Sequence, residues 1–426
     1  MAKSSMAFQS AAVIGSQDLI SQLPSDIIKH ILLYLPAKDT ARTSTLSQTW
    51  LHVWNSLPNA SFEFNMPPVI YPFDNPEELQ ESMKFIDKSL SILREEKVMI
   101  QSFKLYMKNA DHERYVPLIY DWISLVIKNY VKEIDLMSLN SWHGDSILRV
   151  VAIESLVNLK LGGSRIPKGL FCRLNTKLIC LRKLYLKLVV MQKDDLQKLI
   201  SCCPLLEKLK LECLLDPVDF LQCCCPKLKK LVVFSVDRLD IEAPNLEKLD
   251  IFGTKEVTVL DCCNVRELKI YFCDNTNKLI QELSPKFPIL NKLEVISPGM
   301  GEKFEISNHD LQTLLFKNNL AFPFEIKIDA PKLSSFEYFG KQIPFLRYVS
   351  SSLNFTKVKL IIGPEGDLDT SWFLRLRDCL HKHKGKIEVN LFMQKTRVCT
   401  LDNFIDIYFL FYVYIHMQHK DFIKST

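Results

Sequence analysis

The chain has 426 residues, 47% hydrophobic and 24% charged, which excludes an intrinsically disordered protein and leaves length for two or three ordinary domains. Its formal net charge of +5 does not mark a nucleic-acid binder, because such binding needs a concentrated basic face. The 13 cysteines are odd in number and contain no C-x-x-C pair, which points to reduced thiols rather than a disulfide framework. At the N-terminus, Met1–Ser16 lacks the continuous apolar core of a secretory signal, and residues 1–17 are expected to be disordered.

From Asp18 to Leu57 the apolar residues recur at helical spacing. Ile27, Ile28, Ile31, Leu32 and Leu35 form one face of a helix, with Pro24 in its first turn and Pro36 ending it. A second short helix is expected from about Lys38, and a third, capped by Ser47, carries Trp50, Val53 and Trp54. The string LPSDIIKHILLYLPAKDTARTSTLSQTWLHVW resembles an F-box, in particular that of plant F-box/leucine-rich-repeat proteins, and residues 18–62 are assigned to it. Ser25 departs from a frequent acid and Gln48-Thr49 from a frequent Lys-Arg pair. The resemblance implies that Leu23, Pro24, Ile27, Ile31, Leu32, Leu35, Pro36, Leu46 and Trp50 grip a Skp-family adaptor, and through it a cullin. Residues 63–99 read as a linker or helical cap.

Residues 100–362 carry an L-x-x-L-x-L pattern in twelve frames. They open at Ile100, Val131, Leu156, Leu181, Leu206, Leu228, Leu246, Val265, Leu290, Leu311, Leu333 and Phe355, mostly at the spacing of leucine-rich repeats. Each frame predicts a short strand with alternate residues in the core, followed by a return segment that covers the core. One frame alone is indistinguishable from any buried strand, but twelve in near register describe a solenoid. The phrases CCPLLEKLKL and APNLEKLDI are similar to those of the same plant family. Cys203-Pro204, Cys225-Pro226, Ala243-Pro244 and Ala330-Pro331 each introduce a frame, proline setting an extended entry to the strand. The clusters Cys202-Cys203, Cys223-Cys224-Cys225 and Cys262-Cys263 share that slot. Without ligands at matched spacing they are expected to be packing residues at the ends of return helices, with no metal and no cofactor.

In such a frame, the residues before, between and after the last two apolar positions point to the concave face. From the Leu156 frame to the Leu290 frame these are nine lysines, Lys160, Lys183, Lys187, Lys208, Lys210, Lys230, Lys248, Lys269 and Lys292, against four acids, Glu212, Asp250, Glu267 and Glu294. Tyr185, Phe234, Phe252 and Tyr271 are expected in one column beside them. Lys183, Tyr185, Lys208, Lys210, Lys230, Phe234, Lys248, Phe252, Lys269 and Tyr271 are therefore the candidate target-binding residues. Aromatics flanked by cations suit an acidic or phosphorylated protein segment. The alternatives are a solvated face whose lysines only keep the solenoid soluble and, ranked lower, single-stranded nucleic acid.

Residues 363–426 form a C-terminal segment that only loosely resembles an F-box-associated domain. Its apolar run Tyr408–Met417 is too short for the ~20 residues that span a bilayer. No G-x-S-x-G, H-E-x-x-H or G-x-x-x-x-G-K-[ST] pattern occurs, so no catalytic centre is expected. The fold expected is α/β: a short three-helix F-box, then a curved parallel sheet with helical or irregular outer segments. The function implied is the non-catalytic substrate-recognition subunit of a Skp-cullin-F-box (SCF) ubiquitin ligase, in the cytoplasm, the nucleus or both. A leucine-rich-repeat scaffold outside ubiquitination is the alternative.

Overall fold

The structure, a computed structural model, describes residues 20, 23–35, 42–43, 45–55, 60–65, 76–95, 100–107, 112–142, 144–173, 178–212, 214, 218–271, 273, 276–296, 303–318, 322, 324–349, 355–363, 370–381, 387–391 and 413–417. The expected disordered stretch 1–17 and Pro36 lie outside them. The chain divides into two units, Met1–Asp135 and Leu136–Thr426.

In the first unit, the helix Ser25–Tyr34 starts at Pro24, whose carbonyl accepts from Ile28 N. Arg42–Thr43 are helical, and a further helix covers Gln48–Asn55. Ser47 Oγ accepts from Trp50 N at 3.3 Å, the cap expected from the sequence. Ile28, Leu32, Trp50 and Val53 form a small core, with Leu23, Ile31, Leu35 and Trp54 packed against it. Further along, strands β1 (Ala60–Asn65) and β2 (Ile100–Met107) pair in parallel, Phe62 opposite Phe103 and Phe64 opposite Leu105. The helix between them, Pro76–Glu95, buries Leu79, Met83, Ile86, Leu90 and Leu93, a four-three spacing that puts all five on one face. In the helix His112–Lys128, Ile119, Trp122, Ile123 and Val126 are buried, and the Trp122 indole donates to Asp87 Oδ1 at 3.3 Å. Strand β3, Glu133–Trp142, begins in the first unit and continues past its last residue, Asp135.

The second unit is built on a sheet of β4 (Asn158–Ser164), β5 (Lys183–Lys187), β6 (Lys208–Glu212), β8 (Lys230–Phe234), β10 (Lys248–Phe252), β12 (Glu267–Tyr271), β13 (Lys292–Ile296), β15 (Thr313–Asn318), β17 (Ser335–Gly340), β19 (Lys357–Ile362), β20 (Ile387–Leu391) and β21 (Val413–Met417), neighbours in that order. β4 to β20 run parallel, and β21 is antiparallel to β20. In all twelve sequence frames the three apolar residues are buried. The Cys-Pro and Ala-Pro steps prove to be β-turns: Leu206, Leu228, Leu246 and Leu333 each donate their N–H to the carbonyl of the residue before the proline, at 3.0 to 3.2 Å. The proline thus sets the turn that delivers the first leucine of the next frame.

The outer layer differs from the expected helices and loops. Strands β7 (Val218–Cys224), β9 (Val236–Glu242) and β11 (Glu256–Leu260) form a parallel sheet of their own, and so do β14 (Lys303–Ser307), β16 (Glu325–Asp329) and β18 (Phe345–Tyr348). Phe304 of β14 meets Phe316 of β15 edge-on at 5.2 Å, so this second sheet closes the core against the first. Repeat length decides which outer element forms. Frames spaced 25 or more residues apart enclose helices, such as Gly144–Val151 and Lys193–Ser201, whereas those spaced 18 to 22 apart enclose strands. A helix rises about 1.5 Å per residue and a strand about 3.3 Å, so a short repeat covers the same core only when extended. Among the described residues no helix is long and apolar enough to cross a membrane.

Candidate functional site

Two surfaces emerge. On the helices of the first unit, Ile27 is 48% and Leu46 52% exposed, and Pro24 is exposed too. Leu23, Ile31 and Leu35 are half-buried. By contrast Leu32 and Trp50 are both 2% exposed. They hold the helices together, Trp50 also donating its indole N–H to the Ile20 carbonyl at 3.1 Å. Of the nine residues expected to touch an adaptor, then, Pro24, Ile27 and Leu46 are the ones most fully offered to a partner, and Pro36 lies outside the described residues. Ile20 and Leu51 join them at 55% and 41% exposure. The sequence pattern did not single these two out, because Leu51 reads as one more apolar residue beside the buried Trp50. Large apolar side chains mark a partner site where they form one contiguous exposed patch, whereas single ones are ordinary on a protein surface.

The second surface is the outward face of the β4–β13 sheet. Strands β5 and β6 alternate between exposed or half-buried and fully buried positions, so the lysines of the sequence pattern face outward and the leucines inward. Register places Lys183, Lys208, Lys230 and Lys248 directly opposite one another on β5, β6, β8 and β10. Phe234, Phe252 and Tyr271 share a column, stacked with ring centroids 3.8 Å and 4.2 Å apart. Tyr185 is not in that column. It sits in the middle one, opposite Lys160 and Lys210, because its frame places it between the two apolar residues rather than after them. Lys210 lies 4.7 Å from its ring centroid.

All four acids of this face are engaged by lysines. Glu212 meets Lys210 at 2.7 Å and Lys187 at 3.0 Å, and accepts from Tyr185 Oη at 2.5 Å. Burial alone would raise its pKa, but the donors of Lys210, Tyr185 and Lys187 outweigh burial and hold it down at about 2. Lys248 pairs with Glu267 at 2.7 Å, Lys269 with Glu294 at 3.0 Å and Lys230 with Asp250 at 3.9 Å. Tyr271 donates to Glu294 at 2.6 Å, and burial together with that bond pushes its pKa up. Lys183 and Lys208 form no ion pair among the described residues.

Comparison with known proteins decides what the two surfaces belong to. The F-box domain family matches residues 20–61, and the family described as "FBD-associated F-box protein At5g56370, LRR repeats" matches residues 119–259. The chain thus carries an F-box match followed by a leucine-rich-repeat match. The F-box/LRR-repeat protein At4g14103 of Arabidopsis thaliana is 31% identical over 256 residues, 56% of this chain and 63% of the relative. The Arabidopsis FBD-associated F-box protein At5g22730 is 31% identical over 207 residues, 47% of this chain and 41% of the relative. A putative FBD-associated F-box protein of the same plant, At1g78730, is 25% identical over 315 residues, 70% of this chain and 67% of the relative. The chain thus matches from two fifths to two thirds of these relatives' lengths. The exposed Pro24, Ile27 and Leu46 lie on the F-box, and the lysine and aromatic columns lie on the repeat array.

The cysteine clusters sit within the array's packing. Cys203, Cys223, Cys225 and Cys262 are buried, while Cys224 and Cys263 are exposed. Only Cys202-Cys203 follow a helix; Cys223-Cys224 lie in β7 and Cys262-Cys263 follow β11, because those return segments are strands. Burial pushes the Cys203 thiol up to about 12 and the Cys262 thiol to about 11. Among the described residues no group of His, Cys, Asp or Glu is arranged to hold a metal ion.

Proposed function

We propose that the chain is a substrate-receptor subunit of an SCF ubiquitin ligase, acting in the cytoplasm, the nucleus or both. Its F-box docks on a Skp-family adaptor and so on a cullin, and its repeat array holds a target protein. The observation that carries this reading is the exposure of Pro24, Ile27 and Leu46 beside a folded F-box core, ahead of a sheet whose outward face is open. The function needs no reactive group in this chain. The buried thiols with raised pKa values are poor nucleophiles, since transfer chemistry needs a thiolate.

The test is reconstitution from purified components. Chain, Skp-family adaptor and cullin are expected to co-elute as one complex on gel filtration, and ubiquitin transfer is expected only when cullin and conjugating enzyme are both present. A chain that elutes apart from the adaptor supports the scaffold reading instead.

A further inference from the structure

The net positive charge of the repeat face is not spread along it. Strands β4 to β8 present Lys160, Lys183, Lys187, Lys208, Lys210 and Lys230 against a single acid, Glu212. Strands β10 to β13 present three lysines, Lys248, Lys269 and Lys292, against Asp250, Glu267 and Glu294. The first part carries the whole excess and the second is neutral. The apolar surface is divided the other way. The stacked rings of Phe234, Phe252 and Tyr271 span β8 to β12, and the half-buried Ile296 continues their column on β13.

Two features make the cationic part more than a solvated surface. Lys183, Lys208 and Lys230 stand directly opposite one another on adjacent strands, an arrangement that repels and works against folding. Moreover, the local acid is already used: Glu212 is shared by Lys187, Lys210 and Tyr185, and Lys183 and Lys208 have no ion pair among the described residues. The second part needs less outside charge, because Glu267 and Glu294 pair with its own Lys248 and Lys269, and Asp250 pairs with Lys230 at the edge of the first part.

We propose that this face binds an extended protein segment in two parts, an acidic cluster over Lys183 and Lys208 and an aromatic or aliphatic anchor over the Phe234–Phe252–Tyr271 stack. Strands lie about 4.8 Å apart and residues rise about 3.3 Å, so Lys208 on β6 and Phe252 on β10 are separated by roughly 16 Å, about five extended residues. The anionic cluster and the anchor in the target should be spaced accordingly. The proposal rests on the receptor reading above for its biological meaning, though the binding itself does not require an adaptor.

The experiment is selection of a random twelve-residue peptide library on the full chain, followed by fluorescence anisotropy of the enriched peptides. Enriched sequences are expected to carry acids at one end and an aromatic or aliphatic residue about five positions away. Their affinity should fall about tenfold or more in the double variant Lys183→Glu, Lys208→Glu, and should weaken with added salt. Phe252→Ala should weaken the same peptides without abolishing the salt dependence. Both lysines are exposed, so the charge reversal leaves the fold intact, checked by circular dichroism. Enrichment without acidic bias, or unchanged affinity in the lysine variant, overturns the proposal. So does an oligouridine RNA that binds more tightly than the peptides and depends on the same lysines. Adaptor pull-down runs in parallel: peptide binding without adaptor binding sinks the receptor reading alone, and adaptor binding without such peptides sinks this one alone.

Discussion

The F-box and the repeat array use apolar residues in opposite ways. In the array the three apolar residues of every frame are buried, and the outward positions of β5, β6, β10 and β12 are polar or aromatic. In the F-box the same residue types are divided, with Ile28, Leu32, Trp50 and Val53 in the core while Ile27, Leu46 and Leu51 stay exposed. The repeat core can grow with each added strand, so the apolar residues of its frames find partners within the chain. A few short helices cannot enclose all of theirs, and the remainder suits another protein.

Core substitutions sharpen this contrast with the largest expected effect. Leu249→Ala in the array should cost about 2–5 kcal/mol in urea unfolding, because the fully buried site leaves a cavity. Leu32→Ala should lose adaptor binding through melting of the F-box helices, visible as lost helical circular dichroism. The next effect belongs to the exposed pair. Ile27→Ala with Leu46→Ala should weaken adaptor binding by roughly 30-fold or more, at about 1–3 kcal/mol per anchor, with the thermal midpoint of the array unchanged. Equal adaptor binding by this variant would mean that the exposed apolar residues are not the anchors.

Within the array, Glu212→Gln removes charge from the site shared by Lys187, Lys210 and Tyr185, at an expected cost of about 1–2 kcal/mol at neutral pH. The folded chain holds this carboxyl at about 2, below its ordinary 4.5. Its contribution is therefore complete above about pH 4.5 and lost as pH falls through about 2. Unfolding curves of the two proteins should be offset about equally at pH 7 and pH 5, begin to converge below about pH 4.5 and coincide near pH 2. The smallest effect has the opposite sign. Lys208→Glu should raise stability by about 0.2–1 kcal/mol, because it replaces repulsion from Lys183 and Lys230 with attraction. A variant that is more stable yet binds targets less well would separate the lysine column's role in binding from any role in folding.

Much of this was legible in the sequence. The twelve frames were readable because a strand buried on one face repeats its apolar residues in a fixed pattern, and Ser47 announced its helix by its position before Trp50. The outer sheets were not read, because strands such as Lys303–Ser307 and Glu325–Asp329 alternate polar and apolar residues over only five positions, too few to stand out from the return segments around them. Their signal was the spacing of the frames on either side. The column of Tyr185 was misplaced by one outward position, two residues along the strand, although its frame already sets it between Leu184 and Leu186 rather than after them. The sharing of Glu212 by three donors also depends on neighbouring strands, and no single-strand pattern contains it. Likewise the exposure of Ile27 against the burial of Ile28 follows from how the helices pack, since both belong to one apolar run.

In the proposed receptor the F-box binds an adaptor through its exposed apolar residues while the repeats remain free to hold a target. Isothermal calorimetry of the purified chain with a Skp-family adaptor tests it most directly, comparing the wild type with Ile27→Ala, Leu46→Ala and with Lys183→Glu, Lys208→Glu. The expected result is a one-to-one complex lost or strongly weakened by the first pair and unchanged by the second. No measurable binding by the wild type, or binding abolished by the lysine pair and kept by the apolar pair, would contradict it.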